Sequence, residues 1–178
     1  AESICRPANF SHKDERASAG YYSVILKDEG IKAELTATTH TGMHRYTFPS
    51  GKPVTIIVDL AHLLDNEYIY EAELERTTSN EIVGMRRTRG WTDNQYVYFA
   101  AQFSEPFQTV EFVQDKKIVS AETKQVGTDL QAILTFADKD GEPIIAKVGL
   151  SLVSVDNARK NLAEEVKDFN FDAVCAAA

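Results

Sequence analysis

Apolar and polar residues alternate along much of the chain, and this period of two predicts β-strands. Between residues 31 and 38 every odd position is apolar and every even position is polar. A similar alternation is found in segments 130–136 and 144–152. Because successive side chains of a strand point to opposite faces, one face is expected in a core and the other in water. The carboxylates expected on water-facing positions of such strands are Glu34, Glu71, Glu73 and Glu75.

Further strands are predicted between these segments, and turn-forming residues separate them. Clusters of Asp, Asn, Ser and Gly, such as 28–30 and 138–141, tolerate left-handed backbone or hydrogen-bond their own main chain. Strands spaced about 8 to 12 residues apart, with turns between them, favour an all-β fold, an antiparallel β-sandwich of the supersandwich kind. The further strands are predicted at 53–60, 67–74, 81–89, 95–103, 107–114 and 116–124.

After Leu152 the pattern changes to a helical one. Ser154 or Asp156 can cap a first helix, in which three apolar residues, Ala158, Leu162 and Val166, lie four positions apart. Asp168 or Asn170 can cap a second helix. We therefore divide the chain into a β-sandwich, residues 1–153, and a short helical linker, residues 154–178. The linker is expected to fold back onto the sandwich, or to pack against a second copy, and to bury Phe169 and Phe171.

Composition and charge narrow the function classes. The hydrophobic fraction of 43% and the charged fraction of 26% are ordinary for a folded protein. A net charge of −8 argues against nucleic-acid binding, which depends on clustered Lys and Arg. No segment approaches the roughly 20 apolar residues of a membrane span. The basic cluster Arg86, Arg87 and Arg89 is expected on a solvated strand face, and the two cysteines, Cys5 and Cys175, are expected to be unpaired.

Several sequence blocks together resemble one enzyme family. They are similar to the N-terminal domain of glycoside hydrolase family 92, the calcium-dependent exo-acting α-mannosidases. Two positions depart from the family's wording: Ala19 replaces a proline before GYYSV, and Cys175 replaces an arginine in FDAVCAA. The blocks that carry the resemblance are FSH at 10–12, GYYSV at 20–24, IKAELTAT at 31–38, HRYTFP at 44–49, the segment 90–107 and KVGLSLVSVDNARKNLAEEV at 147–166.

The resemblance implies a fold and a function for the parent protein. Its N-terminal β-sandwich, of which this chain is the later portion, is expected to lead through the helical linker into an (α/α)6 catalytic barrel. The parent is expected to be secreted to the periplasm or surface of a bacterium, to bind calcium, and to remove terminal mannose from α-mannose glycans with inversion, most simply as an α-1,2-mannosidase. The catalytic carboxylates are expected on the barrel. This chain alone is therefore expected to be inactive and to hold no calcium.

Three residues are candidates for contact with substrate, each with a structural alternative. His44 and Arg45 lie in HRYTFP; they contribute either to an inter-domain surface or glycan cleft, or to a strand in which His44 and Tyr46 share a face and Arg45 pairs with a carboxylate. Trp91, in the polar turn at 89–94, either stacks on a sugar ring or caps the core, and we expect the second. No catalytic residue and no metal ligand is assigned in this chain.

Other candidate sites are weaker. His40 and His44 are four residues apart, but on a strand and turn this spacing does not make a metal site. Asp138 and Asp140 are expected in a hairpin turn, because the twelve-residue calcium-loop pattern is missing. Two other function classes stay open: a stand-alone carbohydrate-binding module and a purely structural sandwich. The first would use a platform of four tyrosines, Tyr68, Tyr70, Tyr96 and Tyr98. This platform fails if Tyr96 and Tyr98 point into the core.

Overall fold

The computed structural model describes residues 8–63, 67–119 and 123–178. Within these ranges the chain forms thirteen strands, two α-helices and a short 3-10 helix at His12–Asp14. The helices are α1 (Val155–Glu165) and α2 (Phe171–Ala177). The strands are β1 (Arg16–Ser18), β2 (Tyr21–Leu26), β3 (Ile31–Ala37), β4 (Thr41–Thr47), β5 (Val54–Asp59), β6 (Tyr68–Arg76), β7 (Glu81–Arg89), β8 (Gln95–Phe103), β9 (Thr109–Gln114), β10 (Lys117–Val119), β11 (Lys124–Gly127), β12 (Leu130–Phe136) and β13 (Ile144–Ser151).

The strands form two antiparallel sheets that pack face to face. The large sheet has nine strands in the order β1-β2-β3-β4-β13-β8-β7-β6-β11, and the small sheet has four in the order β10-β9-β12-β5. The predicted all-β antiparallel sandwich with short C-terminal helices is therefore confirmed. One detail was wrong: the single strand predicted at 116–124 is two strands, β10 and β11, which belong to different sheets.

The main hydrophobic core lies between the two sheets. Leu130, Ala132, Leu134 and Phe136 alternate along β12 and are all buried, as the period of two predicted. They meet apolar residues of the large sheet's inner face, such as Leu74. Every buried member of this core falls between residues 48 and 146, so neither helix contributes a buried residue to it.

Both helices fold back onto the outer face of the large sheet, and Phe171 is buried there, as predicted. Ser154 caps α1 by accepting from the Asn157 amide at 3.1 Å, and Asn170 caps α2 by accepting from the Ala173 amide at 3.1 Å. Phe169 is only half buried; its ring lies 4.8 Å from the ammonium of Lys147. The helices therefore form a third layer over part of the sheet.

This third layer corrects the prediction for Glu34. That residue is only 3% exposed, although its strand position suggested a solvent-facing side chain. The sheet face that would meet water in a two-layer sandwich meets α2 here. A glycine makes the approach of α1 possible: a Cβ at Gly149 would lie 2.3 Å from the carbonyl oxygen of Ala158. No larger residue fits between β13 and α1 without moving the helix.

Two further expectations concerned unpaired cysteines and the lack of a membrane span. Cys175 is a half-buried free thiol, whereas Cys5 lies outside the described residues. Among the described helices, none has the length and apolar character required to cross a membrane.

Candidate functional site

An apolar cleft opens between the sheets where the small sheet stops at β5. Its volume is about 640 Å³, and its walls are mainly aliphatic and aromatic side chains of β5, β8 and β13. His44 and Tyr46 of β4 line it side by side, with 2.7 Å between His44 Nδ1 and the Tyr46 hydroxyl. Burial lowers the pKa of His44 and raises the pKa of Tyr46, so both side chains are held neutral. The predicted shared face of His44 and Tyr46 is confirmed.

Charged residues line one end of this cleft. Arg86 Nη2 donates to Glu67 Oε2 at 3.3 Å, and both residues are about three-quarters buried. The prediction of a solvated arginine cluster is therefore wrong for Arg86. It remains correct for Arg89, which is exposed, whereas Arg87 stacks on aromatic rings of the opposite face.

Arg45 lies on the opposite side of β4, under α2. Its Nε and Nη2 each donate to a carboxylate oxygen of Glu34 at 2.8 Å, and its Nη1 donates to Asp172 Oδ1 at 2.9 Å. The guanidinium carbon also lies 4.3 Å from the centroid of the Phe171 ring. The predicted pairing of Arg45 with a neighbouring carboxylate is confirmed. Its charge joins β3, β4 and α2.

The electrostatics of Glu34 follow from this arrangement. The hydrogen bonds from Arg45 hold the pKa of the Glu34 carboxyl at about 2, against the opposing effect of burial. Tyr21 also donates to Glu34 Oε1 at 2.8 Å, and Lys32 Nζ lies 3.0 Å from the same oxygen. A carboxylate with this many donors stays ionised and does not act as a general acid near neutral pH.

Separate polar contacts fasten α1 to the large sheet. Glu165 accepts from the His40 amide at 2.8 Å, and its other oxygen lies 2.6 Å from His40 Nδ1. At the other end of α1, Arg159 donates to the buried Glu81 at 2.8 Å. His40 therefore pairs with a helix while His44 lines the cleft, so the two histidines do not converge on one site.

Trp91 overturns the expectation that it caps the core. Its side chain is 96% exposed, in the turn between β7 and β8. A signal for this position was present in the sequence, since residues 92–94 offer no apolar neighbours for an indole. Sugar contact by Trp91 stays a prediction.

The outer face of β6, β7 and β8 carries a row of aromatic side chains. Tyr96 and Tyr98 lie on this face, opposite the half-buried Val97 and the buried Phe99, which line the cleft. The condition under which a tyrosine platform would fail is therefore not met. The sequence predicted Arg87 only as part of a solvated basic cluster and gave no signal for its place among these rings, which depends on the strand register that pairs Arg87 with Tyr96.

No group of three or more His, Cys, Asp or Glu side chains is arranged for a metal ion within residues 8–63, 67–119 and 123–178. Asp138 accepts from the amides of Gly51 and Asp140 and so fixes the turn at 138–141. The predicted hairpin is wrong, because this turn connects β12 of the small sheet to β13 of the large sheet. The part of the chain that the structure describes therefore offers no carboxylate cluster for calcium.

Comparisons of the sequence and of the structure with known proteins point to the same family. The model of the glycosyl hydrolase family 92 N-terminal domain matches residues 2–151. A family 92 α-mannosidase from Bacteroides thetaiotaomicron is similar in structure, with a TM-score of 0.90 and 34% identity over 96% of this chain and 24% of its own. A second family 92 glycosyl hydrolase structure has a TM-score of 0.84 and 33% identity, over 96% of this chain and 24% of its own.

A curated relative extends the comparison to a fungus. An uncharacterised secreted glycosidase of Arthroderma benhamiae is 25% identical over 94% of this chain and 24% of its own length. The chain thus spans about a quarter of the length of the relatives that it matches.

Proposed function

Because the chain belongs to glycoside hydrolase family 92, whose N-terminal domain it matches, we propose that it supports the catalytic domain of a secreted α-mannosidase. In this proposal the sandwich is a non-catalytic scaffold that closes one side of the glycan cleft. The catalytic residues and the calcium ion belong to an (α/α)6 barrel in the same polypeptide, and the parent acts on α-1,2-linked mannose. The α-mannosidase from Bacteroides thetaiotaomicron supports the proposed activity, and the secreted glycosidase of Arthroderma benhamiae supports the proposed export.

The observation that carries the scaffold proposal is the attachment of both helices to the large sheet. Arg45, Glu81 and Glu165 each join a helix to a strand or hairpin through charged hydrogen bonds. Gly149 provides close contact with α1, and Phe171 fills the space under α2. A linker fixed in this way holds whatever follows it in a defined orientation relative to the sandwich.

The apolar cleft and the candidate residues His44, Arg45 and Trp91 have separate parts in the proposed scaffold role. We propose that the remainder of the N-terminal domain covers the apolar cleft, because its lining suits side chains better than sugar hydroxyls. His44 would then contribute to domain packing, and Arg45 would position α2. Of the three, Trp91 alone presents an uncovered surface that a glycan can reach.

The test is an activity assay of this chain beside its full-length parent. With aryl α-mannosides the parent is expected to be active with calcium, and the isolated chain to be inactive with or without it. Measurable turnover by the isolated chain, retained after repurification and abolished by a point substitution in it, would overturn the scaffold assignment.

A second experiment tests the scaffold role in the parent. Arg45→Met is expected to lower mannosidase activity by disturbing the helices that join the domains, whereas Lys124→Gln, which breaks an exposed pair with Glu73, is expected to leave it unchanged. Equal activity of both variants would show that the helix attachment does not serve catalysis.

A further inference from the structure

Four tyrosines and an arginine form a continuous row on the outer face of the large sheet, beyond the area that the helices cover. This tyrosine strip consists of Tyr68 and Tyr70 of β6, Arg87 of β7, and Tyr96 and Tyr98 of β8. Ring centroids are 5.2 Å apart for the β6 pair and 6.2 Å apart for the β8 pair. The guanidinium of Arg87 lies 5.0 Å from the Tyr70 centroid and 5.4 Å from the Tyr96 centroid, which joins the two pairs.

A β-bulge explains why β6 presents two tyrosines outward. The pairing register with β7 shifts between Ile69 and Glu71, so Tyr70 is an extra residue on β6. Ile69 and Ala72 are consequently both buried, although three positions separate them. The shift keeps Tyr68 and Tyr70 outside while the rest of β6 returns to the core. Tyr68 is 59% exposed and Tyr70 is 40% exposed.

The strip is held in place before any ligand arrives. Asn94 Oδ1 accepts from Arg87 Nε at 2.6 Å and so orients the guanidinium between the rings. The rings of Tyr96 and Tyr98 are nearly parallel, with an interplanar angle of 7°. Rings that are already ordered lose little conformational entropy on binding, which favours recognition of a weakly interacting ligand. Trp91, which is 96% exposed, lies in the turn that joins the strands of Arg87 and Tyr96.

We propose that the tyrosine strip and Trp91 bind a mannose-containing glycan along the outer face of β6, β7 and β8. Aromatic faces stack on the C–H faces of pyranose rings, and tyrosine hydroxyls remain free to hydrogen-bond sugar hydroxyls. The choice of mannose rests on the proposed activity of the parent, whereas the sugar-binding surface itself does not depend on the proposed scaffold role. The strip thus gives the chain a sugar-binding surface of its own.

The surroundings of the strip favour a neutral polyol over other ligands. The neighbouring outward positions of β6 are Glu71, Glu73 and Glu75, of which Glu73 pairs with Lys124, and the chain carries a net charge of −8. Phosphate backbones and anionic lipid surfaces are repelled by such a field. A protein partner would have to desolvate these carboxylates, whereas sugar hydroxyls hydrogen-bond to carboxylates that remain hydrated. Charge and aromatic chemistry thus point to the same ligand class.

Glycan binding can be tested by fluorescence, because the chain contains a single tryptophan. Trp91 is the only tryptophan, so tryptophan fluorescence reports on the turn between β7 and β8, where Asn94 holds Arg87 of the strip. Titration of the chain with an α-linked mannopentaose is expected to change the emission in a saturable way. Tyr70→Ala is expected to weaken the apparent affinity about tenfold. Ile118→Ala, at an exposed position on β10, is the matched control and is expected to bind as the unchanged chain does.

Other outcomes overturn the proposal. It fails if mannopentaose leaves the emission unchanged, or if Tyr70→Ala binds as well as the control. Tyr70→Phe, which keeps the ring, is expected to retain most of the affinity and so separates stacking from loss of fold. Hydroxyl-radical footprinting of the full-length parent without glycan provides a second arm. If Tyr68 and Tyr70 are already protected there, the strip is a domain interface and the glycan assignment is wrong.

Discussion

The guanidinium of Arg45 donates to both carboxylate oxygens of Glu34, with nitrogen–oxygen distances of 2.8 Å for each bond. This pair joins two neighbouring strands, since Glu34 and Arg45 are directly opposite each other in the β3–β4 register. Asp172 takes a third hydrogen bond from Arg45, which extends the contact to α2. The pair therefore joins two strands of the sheet and also attaches α2 to them.

Glu34→Gln is expected to lower the free energy of unfolding by about 3 kcal/mol at pH 7, because the pKa of Glu34 falls from 4.5 to about 2 on folding. A lowered carboxyl pKa stabilises the fold above pH 4.5, and this stabilisation is lost as the pH falls toward 2. Urea unfolding between pH 7 and 3 should therefore show the unchanged chain losing more stability than the variant. Glu73→Gln, which breaks a more exposed pair with Lys124, should cost less than about 1 kcal/mol. Parallel pH curves for Glu34→Gln and the unchanged chain would contradict the assigned pKa.

Gly149→Ala is expected to destabilise the chain by about 1 to 3 kcal/mol, because the new methyl group would meet the Ala158 carbonyl oxygen at 2.3 Å and Leu162 Cβ at 2.8 Å. Both atoms belong to α1, so the helix must move away from β13. Gly42→Ala is the control, since its nearest neighbour would be His44 Nε2 at an ordinary 3.6 Å. Chemical denaturation of both variants measures the difference; equal losses would show that α1 is not held closely against β13.

The sequence predicted the sheets better than the surfaces, and the reasons are physical. Alternation in β12 identified its buried residues because only one of its faces meets the core. The same alternation failed for Glu34, because a helix from the far end of the chain covers its face, and a period of two carries no information about such a distant element. The platform tyrosines were identified in the sequence, but the bulge at Tyr70 and the stacked Arg87 depend on strand register, which the pattern does not specify.

Trp91→Ala is expected to change the free energy of unfolding by less than about 0.5 kcal/mol, because the indole is 96% exposed. This reverses the expectation from the sequence, which favoured a core tryptophan. Phe112→Ala, at a fully buried position of the main core, is expected to cost about 3 to 5 kcal/mol. Circular dichroism is the suitable measurement, since the variant lacks the only tryptophan. A loss of several kcal/mol for Trp91→Ala would mean that the indole packs against the fold.

Removal of residues 154–178 tests the predicted boundary between sandwich and linker. The truncated β-domain is expected to unfold cooperatively, because the main core contains no buried residue beyond Ala146. It should be less stable than the full chain, since α2 no longer covers Met43 and α1 no longer covers Ala100. Phe171→Ala in the full chain is the companion variant; it empties one buried site under α2 and should cost about 3 to 5 kcal/mol. Calorimetry of both proteins distinguishes the cases. If truncation abolishes the unfolding transition while Phe171→Ala retains it, the helices belong to the folding unit of the sandwich and the boundary at residue 153 is wrong.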